Sequence, residues 1–410
     1  MKSCRAIPVI LLLFAFSSYA QEQQQNRNIN STTRDNIITR DTSSSDKSIK
    51  CNGYSEFCSK KYNELAYPGT HNSFAVGDSI ASNQNIPVRD QLESGIRFLM
   101  FDLHDPNPKN ISKVLNDANV NGVAEGIVNS AFQAITDAKN LIKGRSGSSI
   151  TLCHTSCYLL NAGLFQDTLN IIAAFMKENE NEVITVSVEN FSNFEIGAVA
   201  KDFSKSKVSR YIFNPKNYAK FPDEWPSLKE MVSDDNRLVI FISSNANETE
   251  VPWILGQNKF IAETSFENLD SKSFDCKGTF PSSKLTLLNH FKSTEKQIGD
   301  FKAYIPKKDS LEQINSEQSI LDQANLCAQN NPNFRTNFVA VDYYEKGELF
   351  KAITKINNVT FDNSKFRVKS GVSRESKSGV SSKRLLIIQD ILSSKWHIAS
   401  LLIAIASAIA

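Results

Sequence analysis

From Cys51 to about residue 345, short runs of apolar residues alternate with stretches whose apolar positions recur three or four apart. Five of the runs, Gly95–Asp102, Ile150–Cys153, Glu182–Glu189, Arg237–Ser243 and Asn337–Asp342, are β-branched or aromatic over 4 to 8 residues, the composition of strands buried on both faces. They are expected to run parallel, each to the next. Between them the pattern predicts helices: one opening at Pro87, one with Leu164, Leu169, Ile172, Phe175 and Met176 on a single face before Asn179, and one opening at Pro226. Strand and helix in alternation predict an α/β fold, a single-domain TIM-type (β/α) barrel, with a distorted or incomplete one allowed and a doubly wound sheet as the alternative. No Gly-x-Gly-x-x-Gly follows a strand, which counts against a nucleotide-binding Rossmann domain, and no repeat of 20 to 50 residues points to a solenoid.

Length alone would suggest two or three domains at ~150 residues each, but the ends do not read as folded. Lys2 and Arg5 precede an apolar run, Ile7 to Phe16, and Ser18-Tyr19-Ala20 supplies the small residues of a cleavage site, so residues 1–20 are read as a secretory signal peptide. Residues 21–50 are polar, lack aromatics and are expected to be disordered. The barrel is assigned to 51–350, and a stalk or linker to 351–382. Residues 383–410 end in the apolar run His397 to Ala410, read as a signal for a glycosylphosphatidylinositol (GPI) anchor attached at Ser378-Gly379 or Ser381-Ser382, with a tail helix as the alternative.

The formal charge of +2 sharpens this division. Residues 365–395 hold eight Lys and Arg against Glu375 and Asp390, and the signal holds two more, so the body between is acidic. A mildly acidic body with no broad basic face excludes nucleic acid as a partner. Cys4 leaves with the signal, and the remaining six cysteines fit an oxidising compartment. Short loops favour pairing Cys51 with Cys58 and Cys153 with Cys157, which leaves Cys276 with Cys327; a metal site in Cys153-His154-Thr155-Ser156-Cys157 is the alternative, which the secretory context disfavours. Sequons begin at Asn30, Asn110, Asn190, Asn247 and Asn358.

Five polar side chains stand at the carboxyl ends of the strands, where a barrel places its chemistry. His71 follows a short strand and a Pro-Gly break in Ala66-Tyr-Pro-Gly-Thr70, Asp102 ends the 95 strand, His154 follows the 150 strand, Glu189 ends the 182 strand, and Asp342 lies near the end of the last. Asp342 is a candidate to orient His71. His104 is a further pocket candidate, and Arg97 is expected to be a buried structural partner at the lower side. A glycan on Asn190 would crowd this pocket, so that sequon is expected to stay unmodified.

The segments Tyr67-Pro-Gly-Thr-His71-Asn72-Ser73, Gln91-Leu-Glu-Ser-Gly-Ile-Arg97-Phe-Leu-Met-Phe-Asp102, Leu152-Cys-His154 and Val186-Ser-Val-Glu189-Asn190 resemble, in order and spacing, the X-domain of phosphatidylinositol-specific phospholipase C. They are most similar to its secreted PLC-like phosphodiesterase relatives of fungi and plants. The resemblance covers residues 55 to 345. It implies His71 as the general base toward an internal hydroxyl and His154 as the general acid toward the leaving oxygen, with a cyclic phosphate as first product. It also implies Ca²⁺ held by Asn72, Asp102 and Glu189, oxygen donors suited to a hard cation. The chain departs from that pattern at Met100, where the calcium-dependent enzymes carry a fourth ligand, a Glu. The expected protein is therefore a phosphoric diester hydrolase acting on a phospholipid or inositol-phosphate-containing substrate. It is expected as a monomer, at the membrane surface through a C-terminal anchor. The alternative is a catalytically silent surface protein that binds a lipid headgroup or a cell-wall component.

Overall fold

The structure is a computed structural model and describes residues 49–105, 150–154, 157, 160–278, 280–298 and 301–366. The signal, nearly all of the polar segment, the sequons at Asn30 and Asn110 and the anchor sequences lie outside these residues.

The described residues form twelve strands: β1 (Tyr67–Thr70), β2 (Phe98–His104), β3 (Thr151–His154), β4 (Leu160–Leu164), β5 (Ile184–Glu189), β6 (Leu238–Ile242), β7 (Leu255–Gly256), β8 (Ile261–Glu263), β9 (Leu285–Asn289), β10 (Ser293–Ile298), β11 (Phe301–Pro306) and β12 (Phe338–Val341). Eight of them form one parallel sheet in the order β7-β6-β5-β2-β1-β12-β9-β8, while β10 and β11 make a separate hairpin. No pairing joins β7 to β8 among the described residues, so the sheet is an incomplete barrel of the expected α/β kind.

The period of two in each strand sorts its side chains between two cores. Tyr67, Phe98, Val239, Phe241, Leu285, Leu287, Phe338 and Ala340 belong to the inner cluster, where the rings of Phe98 and Phe338 stack at 4.3 Å. Their neighbours Leu99, Phe101, Val186, Val188, Ile240, Val339 and Val341 face the helices. Helix Phe165–Glu178 buries Leu169, Ile172, Phe175 and Met176, as its spacing predicts, and ends at Asn179. Continuing the same alternation past the apolar layers brings His71, Asp102, Glu189, Ser243, Glu263, Asn289 and Asp342 to the inner face at the carboxyl ends. The barrel thus closes below on aromatics and opens above on polar groups.

Three expectations change. The strand after residue 150 is not parallel to its predecessor: β3 pairs antiparallel with β2, Leu103 opposite Leu152, and β3 and β4 lie off the main sheet. An apolar run fixes that a strand forms but carries no direction, and direction was inferred from the alternation of its neighbours. Pro68-Gly69 does not break the chain before His71. It lies within β1, paired with β12 and β2, and position 69 needs glycine because a Cβ there would fall 2.7 Å from the Phe98 ring. The boundary at 350 falls inside helix Leu349–Ile356, whose Ala352 and Ile353 are buried, and Phe366 beyond it stacks on Phe350. Residues 351–366 therefore pack with the barrel.

The two cysteine pairs expected from short loops are formed, as is the pair Cys276–Cys327 that they leave. Arg97 is structural, as expected: it meets Glu182 at 2.7 Å and donates to the carbonyls of Leu92 and Ile96.

Candidate active site

His71 follows β1 and is held on every side. Its Nδ1 lies 2.8 Å from Asp342 Oδ1, at the end of the neighbouring β12. Its ring stacks on Phe291 at 3.8 Å with Phe266 edge-on at 5.4 Å, and its carbonyl accepts from Gln84. An Nδ1 facing a carboxylate carries the proton, so Nε2 is left with its lone pair toward the pocket.

His154 reaches the same place by a different route. It ends the antiparallel β3, and its Nδ1 lies 2.5 Å from the carbonyl of Ala81, in the loop after β1. A carbonyl can only accept, so this Nδ1 is also protonated and Nε2 again faces inward. Burial pushes the imidazole down to about 4, the Ala81 carbonyl opposing and His71 adding to the shift. At neutral pH His154 is therefore neutral.

Asn72 lies between the two rings. The chain turns there through the left-handed region, φ 41°, which asparagine tolerates better than most residues. One arm of its amide is 3.1 Å from Nε2 of His71 and 3.0 Å from Nε2 of His154; the other is 3.1 and 3.2 Å from the two oxygens of Asp102. With both Nε2 atoms unprotonated, that arm faces three acceptors, the two rings and Asn83 Oδ1 at 3.3 Å, so it is the nitrogen, its two hydrogens shared among the three. The Asn72 oxygen then converges with the Asp102 carboxylate. Three oxygens so close need a proton or a cation among them.

Asp102 is buried, and burial holds its carboxyl well above the usual range, with Glu189 adding to the effect. Glu189, paired in register with Asp102, is more exposed and accepts from Ser243 Oγ at 2.6 Å. Its carboxyl is also raised, first by partial burial and then by Glu263, while Ser243 opposes. No group of three or more His, Cys, Asp or Glu gathers to hold a metal among the described residues. A set of two carboxylates and the amide oxygen of Asn72 nevertheless fits a hard cation: every donor is oxygen and Asp102 meets no cationic side chain among the ion pairs of the described residues. Met100 faces the interior one inward position before Asp102, opposite Ser187, and offers only a thioether.

His104 is not part of this contact set. It ends β2 with its ring 5.1 Å from Phe191, its Nε2 is buried with no hydrogen-bond partner among the described residues, and burial lowers its pKa. Asn190 is also used internally: its amide donates to Phe194 O and accepts from Phe194 N, both at 2.9 Å.

The sequence did not single out Asn83, Ala81, Ser243, Glu263, Asn289 or Phe291. Glu263 and Asn289, 3.0 Å apart, each end a strand on the inward phase, so the alternation of Leu285-Thr-Leu-Leu-Asn289 was a usable signal. Asn83 and Ala81 lie in a loop without periodicity.

The family model of the PI-PLC X domain (PI-PLC X 1) matches residues 57–137 and 132–357. Among curated relatives, an uncharacterized secreted protein of Arthroderma benhamiae is 28% identical over 360 residues, covering 83% of this chain and 72% of the relative. The PI-PLC X domain-containing protein 1 of the same organism is 27% identical over 318 residues, covering 75% and 90%. A solved phosphatidylinositol-specific phospholipase C from Listeria monocytogenes is 14% identical, with 74% of this chain and 96% of that chain covered at a TM-score of 0.42. With residues 57–357 matched by the family model, the chain belongs to the PI-PLC X domain family.

Proposed function

We propose that the protein is a phosphoric diester hydrolase of the phosphatidylinositol phospholipase C type, with His71 as general base and His154 as general acid. The observation that carries this reading is the pair of imidazoles, each anchored through Nδ1, whose Nε2 atoms converge from two sides on Asn72. A phosphorus seated beside that amide would have one proton acceptor on the side of an attacking hydroxyl and one proton donor on the side of the leaving oxygen. Asp342 keeps the His71 proton on Nδ1 and stabilises the imidazolium once Nε2 has taken the hydroxyl proton. His154 must gain a proton before it can give one. A phosphate anion beside the ring favours that charge, offsetting the burial that keeps the free imidazole neutral.

Asn72, Asp102 and Glu189 would hold Ca²⁺, which when bound supplies positive charge against the phosphate. The leaving group is read as lipid: Phe191 and Phe266 are both more than half exposed beside His104 and His71, apolar neighbours to a polar cleft. Secretion and GPI anchoring complete the reading and place the enzyme at the cell surface, with a phospholipid or GPI-like phosphodiester as substrate.

The test is incubation of purified protein with phosphatidylinositol, with and without a calcium chelator. Turnover lost in His71→Ala and His154→Ala supports the reading, and no His-dependent turnover on any phosphodiester overturns it. The second reading, a silent headgroup-binding surface protein, is favoured by Met100 at the place of a carboxylate ligand, and binding of inositol phosphate without turnover would establish it.

A further inference from the structure

Asn83 is a buried polar side chain that touches both Asp342 and Asn72. It is 1% exposed, in the loop between β1 and helix Val88–Ser94. Its Nδ2 donates to Asp342 Oδ1 at 2.9 Å, the same oxygen that receives Nδ1 of His71, and its Oδ1 accepts from Asn72 at 3.3 Å. The other oxygen of Asp342 is buried and has no hydrogen-bond partner among the described residues.

We infer that Asn83 is a positioning residue for the proposed base. It acts through Asp342, by fixing the oxygen that orients His71, and through Asn72, by turning that amide with its nitrogen toward the histidines. The inference rests on the functional reading of His71, and goes beyond it by assigning a role to a side chain outside the reacting set.

A merely structural role is the competing account, and the backbone weighs against it. The loop is already fastened without this side chain: Asn83 N donates to Ala75 O at 2.9 Å and Tyr343 N donates to Asn83 O at 2.8 Å. Gln84 Nε2 bonds the carbonyls of His71 and Val341, and the Tyr343 hydroxyl bonds Ser82 O. Both ends of the Asn83 amide are thus left to the site: Oδ1 to Asn72, and Nδ2 to Asp342 Oδ1, the same nitrogen lying 3.3 Å from Nδ1 of His71. A carboxylate whose two hydrogen bonds fall on one oxygen can rotate once one donor is gone, because its second oxygen is tied to nothing. Rotation would move the acceptor off the plane of the imidazole and release its tautomer.

The experiment compares Asn83→Ala, the isosteric Asn83→Asp, which lacks the donor, and Asn83→Ser, which restores a short one. Phosphatidylinositol in mixed micelles is the substrate, and the His71 Nδ1 proton is followed by NMR in the free protein. We expect kcat to fall by about 10–100-fold in the alanine and aspartate variants, as for other supporting partners of reactive groups, with KM little changed. The downfield Nδ1 proton signal should be lost or broadened in both, and the serine variant should recover part of each effect. Tyr343→Phe, which loosens the loop but spares the amide, should leave the signal in place. An unchanged signal and kcat in folded Asn83→Ala or Asn83→Asp would overturn the inference. If the wild-type protein turns over no phosphodiester, the functional reading fails, and the Nδ1 signal alone still decides the role of Asn83.

Discussion

The imidazole of His154 is fixed by a carbonyl that belongs to the loop around His71: Nδ1 of His154 lies 2.5 Å from Ala81 O. One loop therefore sets both histidines, and the part-buried His154 is neutral in the free site, its pKa pushed down to about 4. Its folded value lies below its unfolded one, so the unfolded chain binds more protons as pH falls from about 6.5 toward 4, and stability contributed by the neutral ring is lost over that window. The Tm difference between the wild type and His154→Gln should shift against the wild type on acidification through this range. Adding myo-inositol 1-phosphate should raise the midpoint of the His154 NMR titration, since an anion beside the ring favours its charged form. A midpoint that ignores the phosphate would count against a phosphate site between the histidines.

Asp102 titrates in the opposite sense. Its folded pKa is raised by burial, then by Glu189, so its charged form is disfavoured in the fold and stability falls as pH rises from about 4 through the folded value. At pH 7 without calcium, Asp102→Asn should therefore raise Tm. Calcium should raise the Tm of the wild type, by mass action on the folded state, and should have little effect on the variant. Thermal scans with calcium and with chelator check both statements, and a variant less stable than the wild type under chelation would contradict the account of Asp102.

The barrel and most of the polar ring at its mouth were legible in the sequence because both depend on periodicity. Phe98, Met100 and Asp102 repeat every second residue, so once the strand is recognised its last inward residue is known, and the same rule finds Glu189 and Asp342. His154 was found for a reason that does not hold. It was placed at the top of a parallel strand, whereas β3 is antiparallel and its histidine is held by Ala81 O, a contact between segments 73 residues apart. Asn83 was missed because its role comes from side-chain hydrogen bonds to Asp342, 259 residues away, and from no local pattern. Loops carry no period, so their functional groups appear only when the strands have brought them together.

The sequon at Asn190 is a chemical signal that the fold overrides. Its amide is bonded at both ends to the backbone of Phe194 and the residue is 2% exposed, so a glycosyltransferase acting on the folded chain finds no free nitrogen. Peptide mass spectrometry of secreted protein should find Asn190 unmodified. Asn190→Ala should destabilise the loop by about 1–2 kcal/mol, the scale for buried polar contacts left unpaired. A glycan on Asn190 would show that this turn is not formed when the chain is modified.

Met100 offers a gain-of-function test of the calcium reading. It occupies the inward position before Asp102, partly buried, and its strand lies against Ser187 of β5. Met100→Glu would place a third carboxylate next to Asp102 and Glu189. Without a cation, this adds like charge to a site whose two carboxyls are already raised, so the variant should be less stable than the wild type in chelator. With calcium, the added oxygen donor should reverse the order, giving tighter binding by calorimetry and a larger calcium-dependent rise in Tm than the wild type shows. The sign of the difference between the two conditions is what matters. If Met100→Glu is destabilised equally with and without calcium, then Asn72, Asp102 and Glu189 do not form a cation site. The phosphate charge would then be met by the protein's own donors, first among them the Asn72 amide that lies between the two histidines.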